Sequence, residues 1–163
     1  YSSGTAFELT PKGGGGWREK ILYSFGNVPD GADPYASMVF DTFGNLYGTT
    51  GSGGAYYLGA VFELTPEAGG SWTETILQSF NFTDGSNPQA GLIFDASGNL
   101  YGATYGGGAN ESGTVFELWP ESPQSPGSRD LASSQPVGGV NQKHAGTPRA
   151  ATGSRVLRRI DQR

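Results

Sequence analysis

Gly59-Ala60-Val61-Phe62-Glu63-Leu64-Thr65-Pro66 decides the fold, because the chain spells this word three times. It stands earlier as Gly4-Thr5-Ala6-Phe7-Glu8-Leu9-Thr10-Pro11. It stands later as Gly113-Thr114-Val115-Phe116-Glu117-Leu118-Trp119-Pro120. The spacings are 55 and 54 residues. Apolar and polar residues alternate within the word, so Phe62 and Leu64 point one way while Val61, Glu63 and Thr65 point the other. Pro66 lacks a ladder donor and stops the strand.

Working outward, the neighbouring words repeat in the same register. Trp17, Ile21, Leu22, Ser24 and Phe25 return as Trp72, Ile76, Leu77, Ser79 and Phe80. Asp30-Gly31-Ala32-Asp33-Pro34 returns as Asp84-Gly85-Ser86-Asn87-Pro88. Phe40-Asp41-Thr42-Phe43-Gly44-Asn45-Leu46-Tyr47-Gly48 returns as Phe94-Asp95-Ala96-Ser97-Gly98-Asn99-Leu100-Tyr101-Gly102. One residue fewer before Asp84 than before Asp30 accounts for the shorter second spacing. Internal repetition at this period marks a stacked or radial repeat architecture.

Each unit reads as four short strands, at 36–41, 45–50, 59–65 and 72–80. Their counterparts lie at 4–10, 17–25, 90–95, 99–104 and 113–119. Asp41 to Asn45 makes a hairpin turn in which Gly44 supplies a positive φ. On the fourth strand Trp72, Ile76 and Phe80 share a face by alternation, with Leu77 opposite. Both faces therefore carry apolar residues, and one such unit cannot bury itself alone. The reading is an all-β chain of tandem four-stranded antiparallel repeats. It is β-propeller-like, incomplete, about two blades long; a β-solenoid-like stack is the alternative. The repeat region is 1–120: a partial repeat at 1–35, a blade at 36–89 and a partial blade at 90–120. Propellers have about four to eight blades, so further repeats or other chains are expected to complete one. The chain opens in register with the middle of a later repeat, which reads as a cut end.

Composition supports this. Twenty-eight Gly and 10 Pro suit many tight turns, and eight Tyr, nine Phe and three Trp argue against disorder in the repeats. There is no Cys, which excludes disulfides, thiol nucleophiles and cysteine metal sites. No apolar run approaches the ~18 residues of a membrane-spanning helix. Residues 1–120 carry three basic side chains against twelve acidic ones, which disfavours nucleic acid as a partner of the repeats.

The pattern stops after Pro120. Residues 121–163 contain no aromatic side chain and seven of the chain's ten Arg and Lys. They read as a disordered, non-homologous tail. Out-of-frame translation would produce such a break.

The repeated words Gly-Thr-Val-Phe-Glu-Leu (113–118), Trp-Thr-Glu-Thr-Ile-Leu (72–77) and Gly-Leu-Ile-Phe-Asp-Ala-Ser-Gly-Asn-Leu-Tyr-Gly (91–102), with Tyr-Gly-Gly-Gly (105–108), resemble the GloVer-type tandem repeat of choice-of-anchor bacterial proteins. The resemblance covers 1–120 and not the tail. It implies a large bacterial protein, secreted or displayed on the cell surface, and no established activity.

Candidate sites are few. Asp30, Asp33, Asp84 and Asn87 form oxygen-rich loops of the kind that hold calcium. A turn in which Asp bonds the backbone explains the same residues. Tyr56, Tyr57 and Tyr105 lie in or beside Gly-rich loops, where exposed rings could stack on sugars; packing between blades is the alternative. Glu8, Glu63 and Glu117 share one repeat position, read as a ring of carboxylates around an axis or as protection of a blade edge. A glycosidase needs one special carboxylate pair, whereas these recur in every unit. The sequence thus points to a non-catalytic extracellular repeat scaffold for interaction or adhesion, without a cofactor. A carbohydrate-binding propeller, calcium-assisted, is the alternative, and a polysaccharide-degrading enzyme the least supported. The partner is a protein or glycan of unknown identity.

Overall fold

The computed structural model describes residues 3–26, 29–119 and 156–160. The chain is all-β there, with no helix. Strand β1 (Thr5–Pro11) pairs antiparallel with β2 (Trp17–Ser24) as a two-stranded hairpin. The second unit contains β4 (Val39–Phe40), β5 (Leu46–Thr50), β7 (Ala60–Pro66) and β8 (Trp72–Ser79), hydrogen-bonded in that order. The third contains β9 (Ile93–Phe94), β10 (Leu100–Ala103) and β11 (Val115–Trp119). All nine strands expected from the repeats are present, and none of the sheets closes into a barrel.

Two short strands extend the expectation. β3 (Gly31–Ala32) pairs with β6 (Ser52–Gly53), with Gly31 opposite Gly53. This ladder ties the loop leaving the first unit to the loop between β5 and β7 of the second. The single bridge Ser86–Gly106 repeats the tie between the second and third units. Around it, Gly51 N–H donates to the Asp33 carbonyl at 2.9 Å, and Tyr105 N–H to the Asn87 carbonyl at 3.1 Å. The linkers between units are thus fixed by backbone bonds that recur with the repeat.

The tail departs from its reading at one place. Val156–Ile160 forms β12, antiparallel to β11, in the position that β8 holds beside β7. Residues 121–163 were read as disordered because no repeat word continues there. An open edge at β11 is a template for any segment of sufficient β-propensity. The rest of the tail lies outside the described residues.

The units stack face to face. Phe62 and Leu64 of β7 and Leu46 of β5, with Trp72 and Ile76 alongside, pack under Ala6, Leu22, Tyr23 and Phe25 of the first hairpin. The opposite face of the same sheet, with Tyr47, Val61, Leu77 and Phe80, packs on Leu92, Leu100, Phe116 and Leu118 of the third unit. Phe25 meets Phe62 edge-on with centroids 5.0 Å apart, and Phe80 meets Phe116 at 5.1 Å. The same contact thus recurs one unit on. The middle sheet is buried on both sides, as its two half-apolar faces require.

Phe80 corrects the alternation. It was placed with Trp72 and Ile76, but it packs in the other cluster. The pairing slips between Val61 and Phe62: Phe62 faces Ile76, while Val61 faces Gln78. Leu77 is the extra residue of a β-bulge, and one extra residue exchanges the faces of everything beyond it. The first hairpin carries the same irregularity at Ala6 and Phe7. The bulge is therefore part of the unit, and it turns each terminal Phe towards the next sheet.

Candidate functional site

The best-formed polar feature is the hairpin turn before Gly-Asn. Asp41 Oδ1 accepts from Phe43 N–H at 2.8 Å and Asn45 N–H at 2.9 Å. Its Oδ2 accepts from Asn45 Nδ2 at 2.8 Å and Tyr47 O–H at 3.1 Å. Asp95 repeats this with Ser97, Asn99 and Tyr101, at 2.8, 2.9, 2.8 and 3.2 Å. Each Tyr hydroxyl also contacts the Glu of β7 or β11, Tyr47 with Glu63 at 2.5 Å and Tyr101 with Glu117 at 2.8 Å. Burial pushes the Asp41 carboxyl up, but the donors from Asn45, Phe43 and Tyr47 outweigh it and hold it below the ordinary carboxylate value. At Asp95 the Asn99 backbone donor leads, and the carboxyl is again held low. The bond to Glu117, with some burial, raises the Tyr101 phenol.

This arrangement revises the glutamates. Glu63 lies on an interior strand of its sheet, flanked by β5 and β8, so it guards no edge. It is half-buried and engaged by Tyr47. Glu8, in the first hairpin, is exposed. The signal for the Asp–Tyr–Glu node was in the sequence: Tyr47 and Tyr101 recur in register with Asp and Glu. Alternation marks the carboxylates, and the phenol joins them only once Tyr47 is paired opposite Glu63.

The node borders a cleft of about 690 Å³ between the second and third units. Its walls include Phe40, Phe43, Tyr47 and Glu63 on one side and Phe94 and Asp95 on the other. Phe40 and Phe43 are largely exposed, while Tyr47 stacks edge-on against Phe94 with centroids 5.2 Å apart. The Asp41 and Asp95 oxygens here are already occupied by turn donors. The cleft is the outer end of a unit–unit interface.

The four oxygen-bearing loop residues act as turn formers. Asp30 Oδ2 accepts from Gly26 N–H at 2.9 Å, and Asp84 Oδ1 from Asn81 N–H at 2.9 Å. Asp33 and Asn87 have φ of 59° and 52°. Asp and Asn tolerate this left-handed conformation better than other non-glycine residues, which explains their occurrence at one repeat position. Asp33 Oδ2 further accepts from Ser52 Oγ at 2.6 Å, and Asn87 Oδ1 from Gln89 Nε2 at 3.1 Å. Among the described residues no group of three or more His, Cys, Asp or Glu is arranged to hold a metal.

Tyr56, Tyr57 and Tyr105 are exposed, at 57, 66 and 75 %, so they do not fill a unit–unit interface. Tyr57 has φ of 62°, and Glu111 at the same repeat position has 56°. That conformation belongs to the loop shape and not to the tyrosine.

A further cluster joins the first two units. Tyr23 O–H reaches Asp30 Oδ2 at 3.4 Å and Glu74 Oε2 at 3.5 Å, across the first unit–unit interface. Burial first, then the hydrogen bond and charge of Asp30, pushes the Glu74 carboxyl up to about 8. Burial and the two carboxylates push the Tyr23 phenol up to about 12. Asp30 Oδ1 and Glu74 Oε1 are buried with no donor. Two acceptor oxygens cannot satisfy each other unless one carries a proton, and the raised Glu74 carboxyl is the group that holds one more readily. At the next interface Gln78 replaces Tyr23 and donates to Asp84 at 2.9 Å. The sequence hint was this Tyr-to-Gln exchange beside a retained Asp.

A family model described as the Gloeobacter/Verrucomicrobia repeat matches residues 1–147, running past Pro120. No curated protein and no solved structure matches the chain.

Proposed function

The chain belongs to the Gloeobacter/Verrucomicrobia repeat family, and from that premise we propose that it is a non-catalytic repeat scaffold acting outside the cell in interaction or adhesion. One observation carries the reading: the polar groups that could do chemistry recur from unit to unit and are spent on turns. Asp41 and Asp95 each accept four donors in matching geometry. An acid–base pair needs one asymmetric site with groups free to exchange protons. Among the described residues the asymmetric acidic cluster Tyr23–Asp30–Glu74 is part-buried between two units, with its hydrogen bonds made across their interface. The extracellular placement rests on the resemblance of the repeated words to secreted and surface-displayed proteins. In this reading the stacked sheets are propeller blades.

Carbohydrate binding is the second reading, and the exposed tyrosines favour it. Three rings standing free beside Gly-rich loops offer stacking surfaces for sugar faces.

The deciding experiment screens the chain on a glycan array and on polysaccharide substrates, with calcium and with chelator. The scaffold reading expects no turnover and a melting temperature indifferent to chelator. Glycan binding lost in Tyr56→Ala, Tyr57→Ala or Tyr105→Ala establishes the second reading. Turnover abolished by one non-repeated side chain overturns both.

A further inference from the structure

The first hairpin displays, uncovered, the same residues that the second unit buries. Phe7 and Leu9 are each 49 % exposed, while their counterparts Phe62 and Leu64 are 1 and 0 % exposed. Trp17 and Ile21, counterparts of half-buried Trp72 and Ile76, are 61 and 47 % exposed. The molecule itself shows what covers such a face. On the second unit it is the Ala6–Leu22–Tyr23–Phe25 face of the first; on the third it is the Tyr47–Val61–Leu77–Phe80 face of the second.

The covering face is less enclosed at the other end. Val61 is 0 % and Tyr47 4 % exposed, but Val115 and Tyr101 at the same positions are only half-buried. Ile93, counterpart of the partly buried Val39, is 66 % exposed. The described residues therefore carry a receiving face at one end and, in Ile93, Tyr101 and Val115, part of a covering face at the other. Contiguous exposed apolar surface of this kind marks an interaction site.

We infer that the receiving face, Phe7, Leu9, Trp17 and Ile21, docks the covering face of a second copy of this chain, around Ile93, Tyr101 and Val115. The contact continues the internal stacking and is head-to-tail. Such a contact uses two different surfaces and propagates until a ring closes. Phe7 and Leu9 are the anchors, because their counterparts are fully enclosed. The inference rests on the stacking geometry and is independent of the scaffold reading.

Sedimentation velocity of the full chain over a concentration series tests it. The mass is expected to rise with concentration. Leu9→Asp removes the receiving face and Ile93→Asp the covering face, so each alone sediments as a monomer. Mixed in equal amounts they form a pair that grows no further, because one intact receiving face meets one intact covering face. Phe7→Ser, a milder change at an exposed position, weakens association about tenfold or more while leaving the circular dichroism spectrum unchanged. A wild-type monomer at every concentration overturns the proposal. So does loss of association in Leu9→Asp with none in Ile93→Asp, which would mean two receiving faces meeting each other.

Discussion

Phe62 and Phe7 occupy the same place in the same repeated word, yet one is enclosed and the other stands half in water. Both point away from the face of their Val or Ala neighbour and pair with an isoleucine across the ladder, but β7 is also flanked by β5 while β1 pairs with β2 alone. The difference lies in what precedes each in space. A whole hairpin covers Phe62, whereas no described residue plays that part for Phe7. Burial in this molecule is thus a property of neighbouring units, as expected where stability is a sum of unit and interface contributions.

The largest effect should separate the two positions. Phe62→Ala removes a fully packed ring from between two sheets and is expected to cost about 3–5 kcal/mol. Phe7→Ala, measured on dilute protein, is expected to cost under about 1 kcal/mol. Urea unfolding of both variants checks this, and equal costs would break the comparison. Next comes Gly48, whose added Cβ would lie 2.5 Å from the Phe62 ring. Gly48→Ala is expected to destabilise by about 1–3 kcal/mol through overpacking. Gly102 faces Phe116 in the same way, so Gly102→Ala should behave alike in thermal melts.

Smaller again is Tyr47→Phe, which removes the hydroxyl linking Asp41 and Glu63 and should cost about 1 kcal/mol. Tyr101→Phe, less buried, should cost less in the same denaturation series. The smallest effect is a pH dependence carried by Glu74, because solvent screens a pair that is only part-buried. Its folded value of about 8 lies above the ordinary value of 4.5. The folded chain therefore holds a proton that the unfolded chain releases. That contribution is fully present below pH 4.5 and is lost as pH rises to about 8. Glu74→Gln should flatten the melting temperature over this window, and Glu19→Gln, its exposed counterpart, is the control.

How much of this was legible follows from the range of each contact. The nine strands, the Asp41 and Asp95 turns and the two apolar faces are local patterns, and alternation plus repetition reveals them. The side of Phe80 was not legible, because a bulge at Leu77 leaves no mark on composition and reverses every face beyond it. Strand β12 was missed because its segment matches no repeat word and is set by the edge of β11. The exposure of Tyr56, Tyr57 and Tyr105 could not be told from packing, since aromatic rings serve both. The Tyr23–Asp30–Glu74 cluster joins residues on two units, and only the stacking brings them together.

A preceding unit is what buries the Phe–Leu face. The most direct test is a chain in which residues 4–58 are duplicated in tandem, so that the second copy of Phe7 follows a complete repeat. The account predicts that Phe7→Ala in that interior copy costs as much in urea unfolding as Phe62→Ala. The same substitution in the terminal copy stays nearly silent. An interior Phe7→Ala as mild as the terminal one would contradict it.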